Sequence, residues 1–234
     1  MGSIKEILTG NITPKQPRSL AEQSADKLRE LILLEKLPPS LPVNERDLSD
    51  MLSVSRTPVR DAIKMLEVEG LIDYSETRRP RVADPEMDTL SQWLLVQGAL
   101  EGLAGEQACI HATHKELDNI IAIHGQMVEL AESDDRMRLF KLDMEFHSAI
   151  VMAAHLPPLV ETHKLYNSRL WSARFISSQR RANRQQQQMK HQGIVDALMA
   201  RNETAASKAL TAHLRNAISN IKAARAERDA LKTE

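Results

Sequence analysis

The fold is decided by residues 44–72, NERDLSDMLSVSRTPVRDAIKMLEVEGLI, which contain two predicted helices joined by a tight turn. Asn44 is a good cap for a short first helix, and Ser55 is a good cap for a longer second helix that ends near Gly70. Pro58 falls in the first turn of the second helix, where a missing amide hydrogen costs little. The segment therefore predicts a short helix, a sharp turn and a longer helix in immediate succession.

The second of these helices has two chemically different faces. Its apolar stripe consists of Val59, Ala62, Ile63 and Leu66. Its other face carries Arg56, Thr57, Arg60 and Lys64 near the helix start. A helix of this kind can bury one side and present a cationic end to the major groove, where an arginine fork grips guanine or phosphate. A solvated charged face is the simpler interpretation of any single helix, but the neighbouring elements favour DNA binding.

The flanking sequence supplies those neighbouring elements. Upstream, Ser19 and Glu22 have the spacing of a capping box and begin a helix through ADKLRELILLEKL, which the prolines after residue 37 stop. Downstream, residues 71–74 and 81–83 are predicted to be two short strands joined by the basic loop SETRRP. We therefore expect a winged helix-turn-helix domain over residues 18–83, preceded by a flexible tail over residues 1–17.

Composition limits the classes of protein to consider. The chain has 234 residues, 42% of them hydrophobic and only 3% aromatic, which suits a largely helical protein of two modest domains. Its formal net charge is -1, so any DNA contact must come from a local basic patch. The single cysteine excludes an internal disulfide and suits a reducing cytoplasm. No signal-peptide pattern or membrane-spanning apolar run is visible, and we expect a soluble cytoplasmic protein.

Residues 84–226 have helical periodicity throughout and predict an antiparallel bundle of six or seven helices. The predicted helices cover approximately residues 88–111, 114–132, 135–155, 157–181, 185–201 and 203–226, followed by a short tail over residues 227–234. The fold class is thus mainly α, with the only strands in the wing. A helical bundle of this size can enclose a small-molecule cavity.

Four residues of the predicted bundle form a candidate metal site. Asp143 and His147 are four residues apart and share one helix face, while His191 and His213 lie on later helices. One carboxylate and three imidazoles suit zinc, with nickel or manganese as alternatives. The remaining histidines are predicted to have ordinary structural roles; they are His111, His114, His124, His155 and His163.

The stretch ERDLSDMLSVSRTPVRDAIKMLEVEGLI closely resembles the winged helix-turn-helix of the GntR family of regulators, over residues 19–83. The resemblance implies that Arg46, Arg56 and Arg60 contact double-stranded DNA and that Thr57 meets a phosphate or base. The family usually has a glycine at the wing tip, and this chain has Thr-Arg-Arg-Pro there. We expect Arg78 and Arg79 to bind phosphate in its place.

Residues 88–222 resemble the FCD ligand-binding domain of the FadR-like branch, on the motifs LDMEFHSAI, HQGIVDAL and TAHL. The resemblance implies that the Asp143, His147, His191 and His213 set binds a divalent cation that helps hold a carboxylate effector. Gln97 stands where the branch often has an arginine, which would pair with acidic groups in the pocket, and Lys190 stands where it usually has an acidic residue. Gln97, Arg169 and Arg174 are the candidate effector-binding residues. Arg169 and Arg174 are alternatively solvated helix charges.

These features together predict a transcription regulator, a repressor relieved by its effector, that binds a palindromic operator as a homodimer. One short recognition helix contacts too few base pairs for useful specificity, so two copies are needed. A metal-ion-responsive regulator is the nearest alternative, in which the ion itself is the signal. A metal-dependent hydrolase is a weaker alternative, because the sequence places no second carboxylate as a general base and gives the Arg-bearing N-terminal domain no role. A helical interaction module without a bound metal is a third.

Overall fold

The computed structural model describes residues 18–131, 133, 135–178 and 184–231, with side chains except at 184–188 and 228–231. The tail predicted for residues 1–17 lies outside these ranges. Within these ranges, three helices are followed by a two-stranded hairpin and then by six further helices. Their bounds are α1 Leu20–Leu33, α2 Glu45–Leu52, α3 Arg56–Val68, β1 Ile72–Tyr74, β2 Pro80–Val82, α4 Met87–His111, α5 His114–Leu130, α6 Arg136–Ala153, α7 Pro157–Ser178, α8 Arg184–Met199 and α9 Glu203–Leu231.

The N-terminal unit is a helix-turn-helix with a wing, as the sequence predicts. The Ser19–Glu22 capping box at the start of α1 is present, and the Asn44 side chain caps α2. Gly70 follows α3 with φ +70°, a left-handed conformation that suits glycine after a helix end. Strands β1 and β2 pair antiparallel with Ile72 opposite Val82. The small core of this unit consists of Ala25, Leu28, Ile32, Val43, Leu48, Val59, Ala62, Ile63, Leu66, Leu71, Ile72 and Val82.

Helix α1 ends earlier than the sequence predicts. The expected helix continued to Leu37, but α1 ends at Leu33, and Glu35 has φ +53°. The reason is long-range: the segment after α1 pairs with the free edge of the wing, where Ser40 N donates to Val82 O and Val82 N donates to Leu41 O. Those backbone hydrogen bonds are incompatible with further helix, so tertiary pairing overrides local helix propensity.

The C-terminal unit is a bundle built around α4 and α9, which run antiparallel in close contact. Three glycines of α4 allow this approach: a Cβ added at Gly98 would lie 3.3 Å from Leu214 Cβ, and one at Gly102 would lie 2.5 Å from Thr211 Oγ1. A Cβ at Gly105 would collide with Leu210. This close packing fixes the position of α9 relative to α4. Helix α9 also continues to Leu231, beyond its predicted end at 226, because AARAERDAL is rich in strong helix formers.

None of the helices in the described ranges is both long and apolar enough to cross a membrane.

Candidate functional site

The candidate metal-binding residues, which the sequence placed on three helices, come together inside the bundle. Asp143 and His147 lie on α6, His191 on α8 and His213 on α9. One ligand atom from each of these four residues lies within 4.8 Å of the others. Side chains that are distant in sequence thus converge on one point, which we call the tetrad.

The spacing of the tetrad fits a small divalent ion. His191 Nε2 lies 3.1 Å and His147 Nε2 lies 3.8 Å from Asp143 Oδ1. Ligand atoms about 2.1 Å from a tetrahedral ion would stand about 3.4 Å apart, so small side-chain adjustments suffice. His147 Nε2 and His213 Nδ1 are buried and find no hydrogen-bond partner in the part of the chain that the structure describes. Buried nitrogens of this kind normally have a partner, and a metal ion would provide one.

The protonation of the tetrad also suits metal binding. Burial alone would raise the pKa of Asp143, but the hydrogen bond from His191 and the nearby His147 and Arg174 side chains hold it well below its ordinary range. Burial and the neighbouring His191 and His147 lower the pKa of His213 well below its ordinary value. The site therefore offers an ionised carboxylate and a neutral imidazole, which are the forms that bind metals.

A buried carboxylate that the sequence did not single out stands behind the tetrad. Glu101 on α4 is 1% exposed, and its Oε2 lies 2.6 Å from His147 Nδ1. With the proton on Nδ1, the Nε2 lone pair of His147 is directed at the tetrad, an arrangement common among metal-binding histidines. Burial would raise the pKa of Glu101, but His147 and Arg174 hold it well below its usual range.

His163, predicted to be an ordinary histidine, belongs to the same network. Its Nε2 lies 3.2 Å from Glu101 Oε1, which also accepts from Gln97 Nε2 at 3.2 Å. These contacts join α4 to α7 and depend on the packing of distant helices, so spacing along the chain could not reveal them. One sequence signal was available: Glu101 is a charged residue in an otherwise apolar part of α4.

The three candidate effector-binding residues do not share one site: Arg174 lines a cavity at the tetrad, and Gln97 and Arg169 do not. Arg174 lines a cavity beside the tetrad, together with Asp143 and His213. It is 5% exposed and donates to Glu101, Asn167 and Asp143, so its interpretation as a solvated charge is wrong.

Gln97 and Arg169 are not among the described residues that line this cavity. Gln97 is fully buried and bonds to Glu101. Arg169 lies over the Trp93 ring, 5.7 Å from its centre, where it also meets Gly70.

Helices α6 and α7 connect the tetrad to the N-terminal unit. Leu33 of α1 is buried against Phe140 and Met144 of α6 and Phe175 of α7. Met144 follows the tetrad residue Asp143, and Phe175 follows Arg174. Helix α6, which holds two of the metal candidates, and helix α7, which holds Arg174, therefore also form the apolar socket for Leu33.

The candidate DNA-binding surface includes the exposed face of α3, whose other face is buried in the core of the N-terminal unit. Arg46, Arg56, Thr57 and Arg60 are all exposed. Ser55 occupies the cap position of α3 as predicted, but its side chain makes no capping hydrogen bond. The first amides of α3 are thus left to bind solvent or phosphate.

Arg60 is held by an ion pair that the sequence did not predict. Its Nε donates to Glu45 Oε1 at 3.0 Å and its terminal nitrogen donates to Glu45 Oε2 at 2.8 Å. The Arg60 hydrogen bond lowers the pKa of Glu45. The pair ties α2 to α3, and a base or phosphate that binds Arg60 has to compete with Glu45.

The wing tip has an unusual backbone for its residue types. Arg78 has φ +55°, a left-handed conformation that favours glycine. The turn is closed by bonds from Arg78 N to Ser75 O and from Arg79 N to Ser75 Oγ. Both arginine side chains are exposed, so a cation occupies the position where glycine would be the least strained residue.

A helix-turn-helix with a basic wing, joined to a helical bundle that encloses a buried cluster of aspartate and histidines, is the architecture of a DNA-binding transcription regulator. The chain matches the FCD domain over residues 93–216 and the bacterial regulatory proteins of the gntR family over residues 20–82. It belongs to the GntR family and carries an FCD domain.

Its relatives are named as transcription regulators. It is 29% identical to the "Probable D-xylose utilization operon transcriptional repressor" of Paenarthrobacter nicotinovorans, over 81% of this chain and 85% of that protein. It is 29% identical to the Nta operon transcriptional regulator of Aminobacter aminovorans, over 76% of this chain and 83% of the relative. It is 26% identical to the Glc operon transcriptional activator of Escherichia coli K12, over 87% and 89% of the two chains. These relatives are regulators rather than enzymes.

Solved structures share the fold. Escherichia coli McbR/YncC superposes with a TM-score of 0.75 at 18% identity, over 88% of this chain and 98% of that one. A GntR transcriptional regulator from Rhodococcus sp. RHA1 superposes with a TM-score of 0.70 at 20% identity, over 88% and 99% of the chains. This likeness confirms the predicted mainly helical fold with its small wing hairpin.

Proposed function

We propose that the protein is a cytoplasmic repressor whose operator binding is controlled by a small carboxylate effector at a metal ion held by Asp143, His147, His191 and His213. The observation that carries the proposal is the tetrad, whose four ligand atoms lie within 4.8 Å of one another. Two of its residues lie on α6, which also contacts the DNA-binding unit. A buried group of donors with no ion would leave nitrogens unsatisfied, which costs stability.

The ion we propose is zinc, with nickel or manganese as alternatives, because imidazole nitrogen with one carboxylate oxygen suits all three. When bound, the ion supplies positive charge and open coordination positions for a carboxylate. Glu101 orients His147 from behind, and Arg174 holds the second oxygen of Asp143 at 3.3 Å. Arg174 adds a cation to the wall of the cavity.

Control of DNA binding follows, in this proposal, from the Leu33 socket. An effector that displaces Asp143 or Arg174 would shift α6 or α7. These two helices bury Leu33 of α1 between Phe140 and Phe175. Such coupling requires that the effector bind one arrangement of the domains better than another. Packed aromatic contacts are well suited to this, since they have discrete arrangements rather than continuous ones.

Double-stranded DNA is proposed to bind at the exposed end of α3 and at the wing. Arg56 and Arg60 are the candidate base-reading residues, and Arg46 and Thr57 the flanking contacts. Arg78 and Arg79 of the wing are proposed to bind phosphate.

A palindromic operator requires a second copy of the chain, and α4 offers a surface for it. The side of α4 that faces away from its glycines is apolar and exposed, with Val96 at 40%, Leu103 at 42% and Ile110 at 50%. The stripe extends about 21 Å along the helix at 1.5 Å per residue. Because Leu103 is near its centre, an antiparallel copy related by a twofold axis would bury like against like. We expect Leu103→Glu to convert a dimer into a monomer in sedimentation experiments, while Glu106→Gln leaves it dimeric.

The test of the proposal measures DNA and metal binding separately. A duplex selected by the protein from a random-sequence pool should bind the variant Arg56→Ala/Arg60→Ala at least tenfold more weakly. The matched variant Arg136→Ala/Arg138→Ala, which loses two exposed arginines of α6, should bind like the parent. Purified protein should contain one transition-metal ion per chain, and Asp143→Ala/His213→Ala should contain none.

Equal operator binding by the two double-arginine variants would contradict the DNA-binding assignment. Metal-free parent protein would contradict the metal site. If the ion alone shifts operator affinity and no acid does, the protein is a metal sensor instead.

A further inference from the structure

The cavity beside the tetrad is lined by groups of two kinds. Asp143 and His213 of the tetrad contribute to its lining. Arg174, Lys190, Ser177 and Asn216 add cationic and neutral polar groups. A ligand that binds the tetrad from this cavity therefore also faces two cations.

The two cations differ in how far they are already neutralised. Arg174 donates to Glu101 at 3.2 Å and to Asp143 at 3.3 Å, so its charge is matched by carboxylates of the protein. Lys190, next to the tetrad residue His191 on α8, has no carboxylate within ion-pair distance among the described side chains. Its ammonium group remains available for an anion that comes from solution.

The formal charge of the site supports the same conclusion. Glu101 and Asp143 together with Arg174 leave one negative charge in the buried network. A bound divalent ion turns this into one positive charge, which a single ligand carboxylate would neutralise. Lys190 adds a further positive charge at the same cavity. Buried or half-buried charges need partners, so the complete site has places for two anionic groups.

We infer that the cavity selects a small acid with two anionic groups, one bound at the tetrad and the other by the ammonium group of Lys190. This inference rests on the proposed function, because it assumes that a metal-held carboxylate effector enters this cavity. Ser177 and Asn216, which also line the cavity, can hydrogen-bond further polar groups of the same ligand. A monocarboxylate of equal length would leave Lys190 without a partner.

The experiment measures binding of straight-chain acids to Zn²⁺-loaded protein by calorimetry after removal of excess ion. Dicarboxylates from malonate to adipate are compared with monocarboxylates of the same carbon number. We expect the best dicarboxylate to bind at least about tenfold more tightly than its monocarboxylate counterpart, the size expected for a charge-assisted hydrogen bond. Lys190→Gln should abolish that preference, and Lys190→Glu should reverse it.

Lys208→Gln provides the matched control, because Lys208 is an exposed lysine of α9 that is not part of the described cavity lining. It should keep the full preference. Thermal melting without acid shows that each variant is folded. If dicarboxylates and monocarboxylates bind equally well, or if Lys190→Gln keeps the preference, this inference is wrong and the proposed function stands. If no acid of either kind binds the metal-loaded protein, both are wrong.

Discussion

Substitution of Gly102 by alanine tests how the packing of α4 on α9 positions the tetrad. A Cβ at Gly102 would lie 2.5 Å from Thr211 Oγ1 and 3.3 Å from both the carbonyl oxygen and Oγ of Ser207. Thr211 would have to turn away and lose its 3.2 Å hydrogen bond to Gly98 O. The two helices would then separate by several tenths of an ångström, and α9 would carry His213 with it.

We expect this overpacking to cost about 1–3 kcal/mol, partly offset by about 1 kcal/mol from the better helix propensity of alanine. The net loss of up to about 2 kcal/mol should lower the melting temperature of a chain this long by up to about 8 °C. Metal affinity should fall as well, since ligand distances are held within about 0.2 Å at such sites.

The matched control is Gly125→Ala, because Gly125 lies in α5 with no atom within 4 Å of an added Cβ. That variant should be more stable than the parent by about 0.5–1 kcal/mol, with unchanged metal affinity. Calorimetric melting with and without Zn²⁺ measures both quantities. The reasoning is refuted if Gly102→Ala is stabilised as much as Gly125→Ala, or if its zinc affinity equals that of the parent.

Three further predictions concern the wing, a helix cap and the cysteine. Arg78→Gly should stabilise the hairpin by about 1 kcal/mol, because glycine adopts the left-handed backbone of this position without strain. The same variant should bind the operator more weakly, and the slope of log affinity against log salt concentration should become smaller by about 1. Tighter operator binding would show that Arg78 does not contact phosphate. The Thr113 cap and His155 lower the pKa of Glu116 to about 2, so the stability it contributes is complete above about pH 4.5 and disappears as the pH falls towards 2. Denaturant titrations should therefore show a larger difference between the parent and Glu116→Gln at pH 6 than at pH 3, whereas a constant difference would show that the carboxylate charge is unimportant. Burial raises the pKa of Cys109, which is 4% exposed, so a thiol reagent at pH 8 should label it only as fast as the bundle opens, and immediate labelling would contradict the packing of α4.

The elements that local sequence signals specify were predicted correctly. The capping box at Ser19, the cap at Asn44 and the helix end at Gly70 are read from neighbouring residues, and the structure has all three. The convergence of the tetrad was expected from a helix-face argument for Asp143 and His147 and from family resemblance for the other two. Each of these inferences depends on short-range spacing or on a known pattern.

What the sequence did not reveal depends on contacts between distant segments. Glu101 and His163 are 62 residues apart, and nothing near either residue indicates that they meet. The same holds for the Glu45 ion pair of Arg60 and for the early end of α1, which follows from pairing with the wing edge. Tertiary packing also decided which of the two candidate arginines lines the cavity, since Arg169 and Arg174 were equivalent in sequence and, of these two, Arg174 reaches it.

The most direct measurement of control by the tetrad is operator affinity with its ligands present and absent. Fluorescence anisotropy of a selected duplex is recorded for the parent and for Asp143→Ala/His213→Ala, with and without Zn²⁺ and the best-binding acid. We expect the ligands to change the operator Kd of the parent by about 5- to 150-fold, a coupling typical of allosteric regulators, and to leave that of the double variant unchanged. An operator Kd of the parent that stays constant while the ion and the acid both bind would contradict regulation through the tetrad.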